Sequence, residues 1–282
     1  MTEKGWIALD IDGTITLDKY SVPEEVVSFL RQLVHEGWKL VMATGRSFSF
    51  GSMVLKEFDF PYYFLVQNGS ASFEMPGATP LFTRYIPASQ LPAIEAAYAG
   101  ISSDFLIYSG YEKKDICYYR PDRFSAEELQ YLSRLQKMQK ENWRAMEHFD
   151  GKEIGSFPLA KCFGPLGQMK KIAERLRETG RFNVPKIRDP FNESSELLLV
   201  TDRMASKGLS LSELMRQKGK ASVLIAAGDD ENDLSLFDVA DIKIAMAHAP
   251  PVLHERADFI APPTAELGIL RALKMALHDH QL

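Results

Sequence analysis

An interrupted rhythm limits this chain's fold more than any other feature. Residues 6–11, 38–43 and 62–66 are short apolar runs that read as buried strands, and amphipathic stretches separate them. Residues 23–35 carry helical periodicity with Pro23 at the first turn, and Gly37 ends that helix. Ser47 reads as the N-cap of a second helix reaching about residue 57. The alternation then stops and resumes near residue 202: a helix over 207–218, a strand at 222–227, a short helix after Gly228, strands near 242–245 and 258–260, and a last helix over 264–278. Strands and helices alternating at this spacing predict right-handed crossovers and a doubly wound, mostly parallel sheet covered on both faces. The intervening stretch has a different texture. Residues 103–108 and 115–120 read as a strand pair around Ser109-Gly110, followed by helices over 125–140 and 166–179 and a strand at 196–201. The expectation is one α/β sheet assembled from residues 1–83 and 202–282, with an α+β domain inserted at 84–201.

Composition removes several function classes. A chain of 282 residues, 45% hydrophobic and 25% charged, has the make-up of one large or two moderate globular domains rather than of a disordered segment. Its net charge of −5 provides no broad basic surface for nucleic acid or an anionic membrane. An anionic ligand must then be met by local cations or a metal. Cys117 and Cys162 lack the paired spacing of a zinc site and are too few for a disulfide framework, so both read as reduced, inert thiols. The opening Met1-Thr2-Glu3-Lys4-Gly5 does not resemble a signal peptide, and no window approaches about 18 uninterrupted apolar residues. The expectation is a soluble cytoplasmic protein.

A ligand site is suggested by the residues just past the apolar strands, because ligands of open parallel sheets collect at the strands' carboxyl ends. The first strand runs into Asp10-Ile11-Asp12-Gly13-Thr14, where a period of two puts both carboxylates on one side. Close carboxylates favour a bound cation or one raised pKa. Thr44-Gly45-Arg46 offers a hydroxyl and backbone amides suited to a phosphate oxygen. Ser206-Lys207-Gly208 starts a helix with an ammonium, and Gly228-Asp229-Asp230-Glu231-Asn232-Asp233 supplies hard oxygens of the kind magnesium takes. Each cluster alone could be a turn, a cap or a solvated helix start. Their joint occurrence at four strand ends is what points to a site.

Taken together, these four clusters resemble the motifs of the haloacid dehalogenase-like hydrolases over nearly the whole chain. Further echoes are Gln67-Asn68-Gly69-Ser70 and Ile244-Ala245-Met246-Ala247-His248-Ala249. The long insertion resembles the large-cap subclass, with its Cof-like and sucrose-phosphate-phosphatase-like enzymes. The resemblance implies a Rossmann-like core with a closing cap domain, and a magnesium-dependent phosphatase that removes phosphate from small phosphorylated metabolites, sugar phosphates above others, through an aspartyl phosphate. It casts Asp10 as nucleophile, Asp12 as acid and base, and Thr44 and Lys207 as holders of the phosphoryl oxygens. Metal binding falls to Asp10, the Asp12 carbonyl and Asp229, with Asn232 and Asp233 ordering waters or Lys207. Substrate contacts fall to Gly45, Arg46 and Asn68, and in the cap to a group comprising Tyr108, Tyr118, Arg120, Lys161, Lys186 and Arg188.

The chain departs from the Cof-like pattern at His248, where asparagine is usual, at Leu199, and at Asp202 and Met204. These positions bear on substrate rather than on chemistry. Asp10-Ile11-Asp12-Gly13-Thr14-Ile15-Thr16 also resembles phosphomannomutase, so a mutase is the nearest alternative. A phospho-acceptor switch or a sugar-phosphate-binding regulator would use similar residue types without turnover.

Overall fold

The computed structural model describes residues 4–18, 20–139, 141–189, 192–220 and 222–280, with no description of the side chains at 166 and 192–195. Met1, Thr2, Glu3 and the expected helix end at Lys140 fall outside those residues. In chain order come β1 (Gly5–Asp10), α1 (Glu24–His35), β2 (Trp38–Ala43), α2 (Phe48–Val54), β3 (Tyr62–Val66), β4 (Ala71–Met75) and β5 (Thr79–Thr83). The middle holds α3 (Leu91–Ala97), β6 (Phe105–Tyr108), β7 (Cys117–Tyr119), α4 (Ala126–Gln139), β8 (Trp143–Ala145) and α5 (Gly151–Ile154). It continues through β9 (Leu159–Cys162), α6 (Leu166–Glu178), β10 (Phe182–Asn183), β11 (Lys186–Asp189) and β12 (Asn192–Asp202). The chain closes with α7 (Lys207–Lys218), β13 (Leu224–Gly228), α8 (Leu234–Phe237), β14 (Ile242–Met246), α9 (Pro251–His254), β15 (Phe259–Ala261) and α10 (Gly268–Asp279). The protein is an α/β protein of two compact units, one formed by residues 1–45, 51–82 and 206–282, the other by 46–50 and 83–205.

In the first unit the sheet order is β15-β14-β13-β1-β2-β3-β4-β5. Strands β15 through β3 pair in parallel, and β4 turns antiparallel to β3. Every residue of the central β1 is buried, the pattern of a strand covered on both faces. Alternation along β1 places Trp6 and Ala8 on one face, where they pack with Leu211 and Leu214 of α7 and with Leu236 and Phe237 of α8. Asp10 shares their parity and ends that face. Helix α7 meets the sheet through Lys207, Leu211 and Leu214, a spacing of four and three that forms one stripe. Its first residue therefore arrives at the strand end where Asp10 lies.

The second unit is built on a sheet ordered β10-β12-β9-β6-β7-β8, with β11 pairing to β12. Its strands pair antiparallel, except for β7 with β8. Period two divides its side chains. Phe105, Ile107, Ala160, Cys162, Leu198 and Val200 join Ile94 of α3 and Ile172 of α6, whereas Leu106, Tyr108, Leu159, Leu197 and Leu199 join Leu132 and Leu135 of α4. Both thiols are buried and free, and burial pushes the Cys162 thiol up to about 12.

Differences from the expected elements have local causes. Helix α2 stops at Val54 rather than near 57, where the Phe58 amide donates to the Leu55 carbonyl at 2.9 Å and closes a turn. Ser47 does accept the Phe50 amide, at 3.4 Å, but Asp115 takes the Ser49 amide at 2.8 Å and its hydroxyl at 2.7 Å. The last helix is broken by Leu267 at φ 55°, leaving a short 3-10 turn at 264–266 ahead of α10. Between β6 and β7, the strand pair expected around Ser109-Gly110, runs an eight-residue connection containing a 3-10 turn at 111–113.

Helices α7 and α8 approach so closely that only glycine fits at 208. A Cβ built there would lie 1.7 Å from the Ser235 carbonyl oxygen, and the Gly208 amide donates to Ser235 Oγ at 3.1 Å. Gly208→Ala should destabilise the fold by about 1–3 kcal/mol through forced separation of these helices. The check is the urea unfolding midpoint, and a midpoint equal to that of the parent would show that the helices part at no cost.

Candidate active site

The carboxyl ends of β1, β2 and β13, with the N-terminus of α7, bring the polar residues of the first unit together. Lys207 is fully buried, and its ammonium donates to Asp10 Oδ1 and, at 2.6 Å, to Asp233 Oδ1. Ser206 caps α7 through its Oγ, which accepts the Leu209 amide at 3.1 Å, so the lysine is fixed at the helix start. Asp233 has its other oxygen engaged as well. Oδ2 accepts the amides of Asp229 and Asp230 at 3.0 and 3.2 Å, closing a capping box with Asp230 over the turn at 231–233.

Asp10, Asp229 and Asp233 each bring an oxygen within 4.8 Å of the others. Asp10 Oδ2 is buried with no hydrogen-bond partner. A carboxylate oxygen left unmatched beside other carboxylates has the chemistry a hard divalent cation takes, so the donor set fits such an ion. Burial is the main force holding the Asp10 carboxyl well above the usual carboxylate range. Lys207 opposes it, and Asp233, Asp229 and Asp12 reinforce it. Burial likewise raises Asp229, with Asp233 and Asp230 next in effect. Burial would push the Lys207 amine down, but Asp10 and Asp233 outweigh it and hold the ammonium above the ordinary lysine range.

Gly13 sits at φ 72°, and a Cβ there would lie 2.4 Å from Asp229 Oδ2 and 2.9 Å from His248 Nε2. The turn after β1 thus passes flush against the turns after β13 and β14. Thr44 is fully buried just past β2; its amide donates to the Leu65 carbonyl and its carbonyl accepts the Asn68 amide, both at 2.9 Å. Asn68 lies in a left-handed conformation, φ 55°, and its Oδ1 accepts from Asn232 Nδ2 at 3.1 Å. Its own Nδ2 and the Thr14 hydroxyl are buried without partners. Asp12 is half-buried in the turn beyond Asp10, and Gly45 is half-buried beside Thr44.

Asp10, Asp12, Thr44, Gly45, Asn68, Lys207, Asp229, Asn232 and Asp233 all belong to the first unit; Arg46, Lys161 and Arg188 belong to the second. Arg46 is buried with its guanidinium 4.1 Å from the centroid of the Phe50 ring. Lys161 Nζ lies 3.4 Å from the Tyr108 hydroxyl, and Arg188 is exposed on β11. Arg120 has a different employment: it grips Asp104 at 2.8 and 2.7 Å and also bonds Glu95. Lys186 pairs with Glu196 at 2.9 Å, and Tyr118 lies in the core. One contact has no signature in the sequence beyond an unusual residue type. His248 Nε2 stands 3.0 Å from Asp229 Oδ2, across 19 positions of chain.

Comparison with known proteins gives a consistent picture. The profile of a family described as haloacid dehalogenase-like hydrolase matches residues 7–273. The chain is 24% identical over 271 residues to phosphoglycolate phosphatase of Methanothermobacter thermautotrophicus, covering 95% of this chain and 96% of that one. Shorter stretches match at higher identity: 36% over 81 residues with phosphoglycolate phosphatase of Sulfurisphaera tokodaii, 29% of this chain and 36% of that one. In a Streptococcus pyogenes relative the match spans 19% of that protein's length. A solved HAD subclass IIB sugar phosphatase superposes with a TM-score of 0.73 at 19% identity, covering 96% of this chain and 98% of that one. Among the described residues no helix is long and apolar enough to cross a membrane.

Replacing Lys207 by methionine removes the ammonium bound to Asp10 and Asp233. Without divalent cations, Lys207→Met should be less stable by about 3–5 kcal/mol near pH 8. Carboxyls raised in the folded state retain protons that the unfolded chain has released. Their contribution is therefore fully present below about pH 4, the ordinary carboxylate range, and lost as pH rises through the raised values. Urea unfolding at about pH 5 and pH 8 should show the deficit shrinking at the lower pH. An equal deficit at both would rule out carboxylate repulsion as its cause.

Proposed function

Because the chain belongs to the haloacid dehalogenase-like hydrolases, we propose that it is a phosphohydrolase removing phosphate from small phosphomonoesters, sugar phosphates foremost, with Asp10 as nucleophile. The observation that carries this reading is Asp10 itself: a buried strand-end carboxylate with one oxygen bound to Lys207 and the other unmatched. The names of the relatives, phosphoglycolate phosphatase and sugar phosphatase, support a small phosphorylated substrate. In this reading the first unit is the catalytic core and the second its inserted cap.

Asp10 attacks phosphorus, forming an acyl phosphate as the bond to the leaving oxygen breaks. Asp12 gives the leaving oxygen its proton, then takes one from the water that hydrolyses the acyl phosphate, regenerating both carboxyl groups. Lys207 lies on the nucleophile and faces the charge carried by the transferring oxygens, while Asp233 keeps the ammonium in place. Thr44 and the Gly45 amide are proposed to bind phosphoryl oxygens. Asn68, whose side-chain Nδ2 has no partner, is proposed as a further donor. Arg46, Lys161 and Arg188 are proposed contacts for the rest of the substrate. Magnesium, held by Asp10, Asp229 and the Asp12 carbonyl, would neutralise phosphoryl charge. Asn232 and Asp233 then act beside the ion, since both Asp233 oxygens already bind Lys207 and two amides.

The test is phosphate release from a panel of sugar phosphates and phosphoglycolate, with magnesium and with a chelator. Asp10→Asn should lower kcat by at least about a thousandfold while the unfolding midpoint persists, as expected for a nucleophile. Turnover preserved in Asp10→Asn would remove the covalent mechanism, and turnover indifferent to chelation would remove the metal.

A further inference from the structure

His248 occupies the turn after β14. Register pairs Gly228 of β13 with Ala245 of β14, so the residue just past β13 and the turn just past β14 emerge side by side. The turn is pinned at its base: the Met246 carbonyl accepts the Ala249 amide at 2.9 Å and lies 2.9 Å from His254 Nε2. A carbonyl can only accept, so His254 donates. Pro250 and Pro251 come next and stiffen the exit. The His248 ring is accordingly held in place, although its side chain remains 43% exposed.

From that turn, Nε2 reaches Asp229 Oδ2 at 3.0 Å. When Asp229 is ionised, as cation binding requires, a carboxylate oxygen can only accept, and Nε2 carries the proton. The same oxygen is the one that a Cβ at Gly13 would strike, so the missing side chain at 13 leaves the space in which imidazole and carboxylate meet. His248 does not join the carboxylates themselves. Among the described residues, the cluster whose donor atoms lie within 4.8 Å of one another is Asp10, Asp229 and Asp233, without the imidazole. An imidazole bonded to a ligand carboxylate yet outside the donor cluster acts through that carboxylate.

We propose that His248 is a positioning residue for the divalent cation: by holding Asp229 Oδ2 it orients that carboxylate toward the ion without itself becoming a ligand. The inference rests on the metal reading given above, with Asp229 as a ligand. A hydrogen bond of this kind restricts the torsional freedom of the carboxylate, and loss of such a partner typically weakens metal affinity by about 10–100-fold.

The experiment uses the full chain and Mn2+ alone, with no substrate. Calorimetric titration of Mn2+ into the parent, His248→Ala and His248→Asn is read beside the cation-free unfolding midpoint. The alanine variant should bind Mn2+ about tenfold or more weakly with its midpoint unchanged, because the ring is partly exposed and fills no core. The asparagine variant, which keeps an N–H donor of shorter reach, should recover part of that loss. Pulsed electron paramagnetic resonance of the Mn2+ complex should show no directly coordinated nitrogen. Equal affinity in parent and alanine variant overturns the proposal, as does a coordinated nitrogen signal, which would make His248 a ligand. A parent that binds no Mn2+ instead overturns the metal reading beneath it, so the two failures are distinguishable.

Discussion

The first unit's polar chemistry hangs on one buried ammonium. Lys207 has no exposed surface, and an amine there would ordinarily surrender its proton. It keeps its charge because Asp10 and Asp233 both accept from it, and those two residues enter from opposite ends of the chain's interrupted fold. Asp10 ends the first strand, Asp233 lies in the turn after β13, and Lys207 opens α7. A chain that failed to reunite its two halves would strand each of these charges in an apolar interior, at several kcal/mol apiece. The arrangement of these three charges and the correct sheet order are therefore linked by the same electrostatic requirement.

That link leaves a surplus of negative charge. One ammonium faces Asp10, Asp229 and Asp233, with Asp12 close enough to raise both Asp10 and Asp229. Repulsion of this size is tolerated in a folded protein when a function needs it, and a site that receives a cation and a phosphoryl group is one such case. The backbone makes the same concession: Gln67 and Asn68 both adopt positive φ, 49° and 55°, directly beside Thr44. Glutamine has little natural preference for that region, so the strain is held by its surroundings.

Much of this arrangement is legible in the amino-acid sequence. The parallel sheet follows from apolar runs too continuous for a half-exposed sheet, and the site clusters follow from Asp10, Thr44 and Asp229 standing where such runs stop and from Lys207 opening a helix. The illegible part has two physical sources. Short strands such as β8, β10 and β11, of two to four residues, present too few positions for a period of two to register. The pairs that decide individual roles join residues distant in sequence: Asp115 at the start of α2, Asn68 with Asn232, and His248 with Asp229. No local pattern encodes those partners; the three-dimensional arrangement of strands and turns does.

Residue type alone also misleads where polar groups are busy holding the fold. Arg120 has the chemistry to bind a phosphate, yet its guanidinium is matched by Asp104 and Glu95 and stacked 4.1 Å from the Phe149 ring centroid. Removing it would break its buried pair with Asp104. The more discriminating signal is a buried polar atom that the chain leaves unmatched near others of its kind, since such an atom costs about 1–3 kcal/mol unless something supplies the missing bond. Asp10 Oδ2, Thr14 Oγ1 and Asn68 Nδ2 are such atoms, an acceptor and two donors just past the carboxyl ends of β1 and β3, which flank β2. A hydrated cation and a phosphate oxygen are complementary to that combination, and an apolar ligand is not. The unmatched atoms therefore add a physical argument for the phosphoryl reading to the motifs in which these three residues stand.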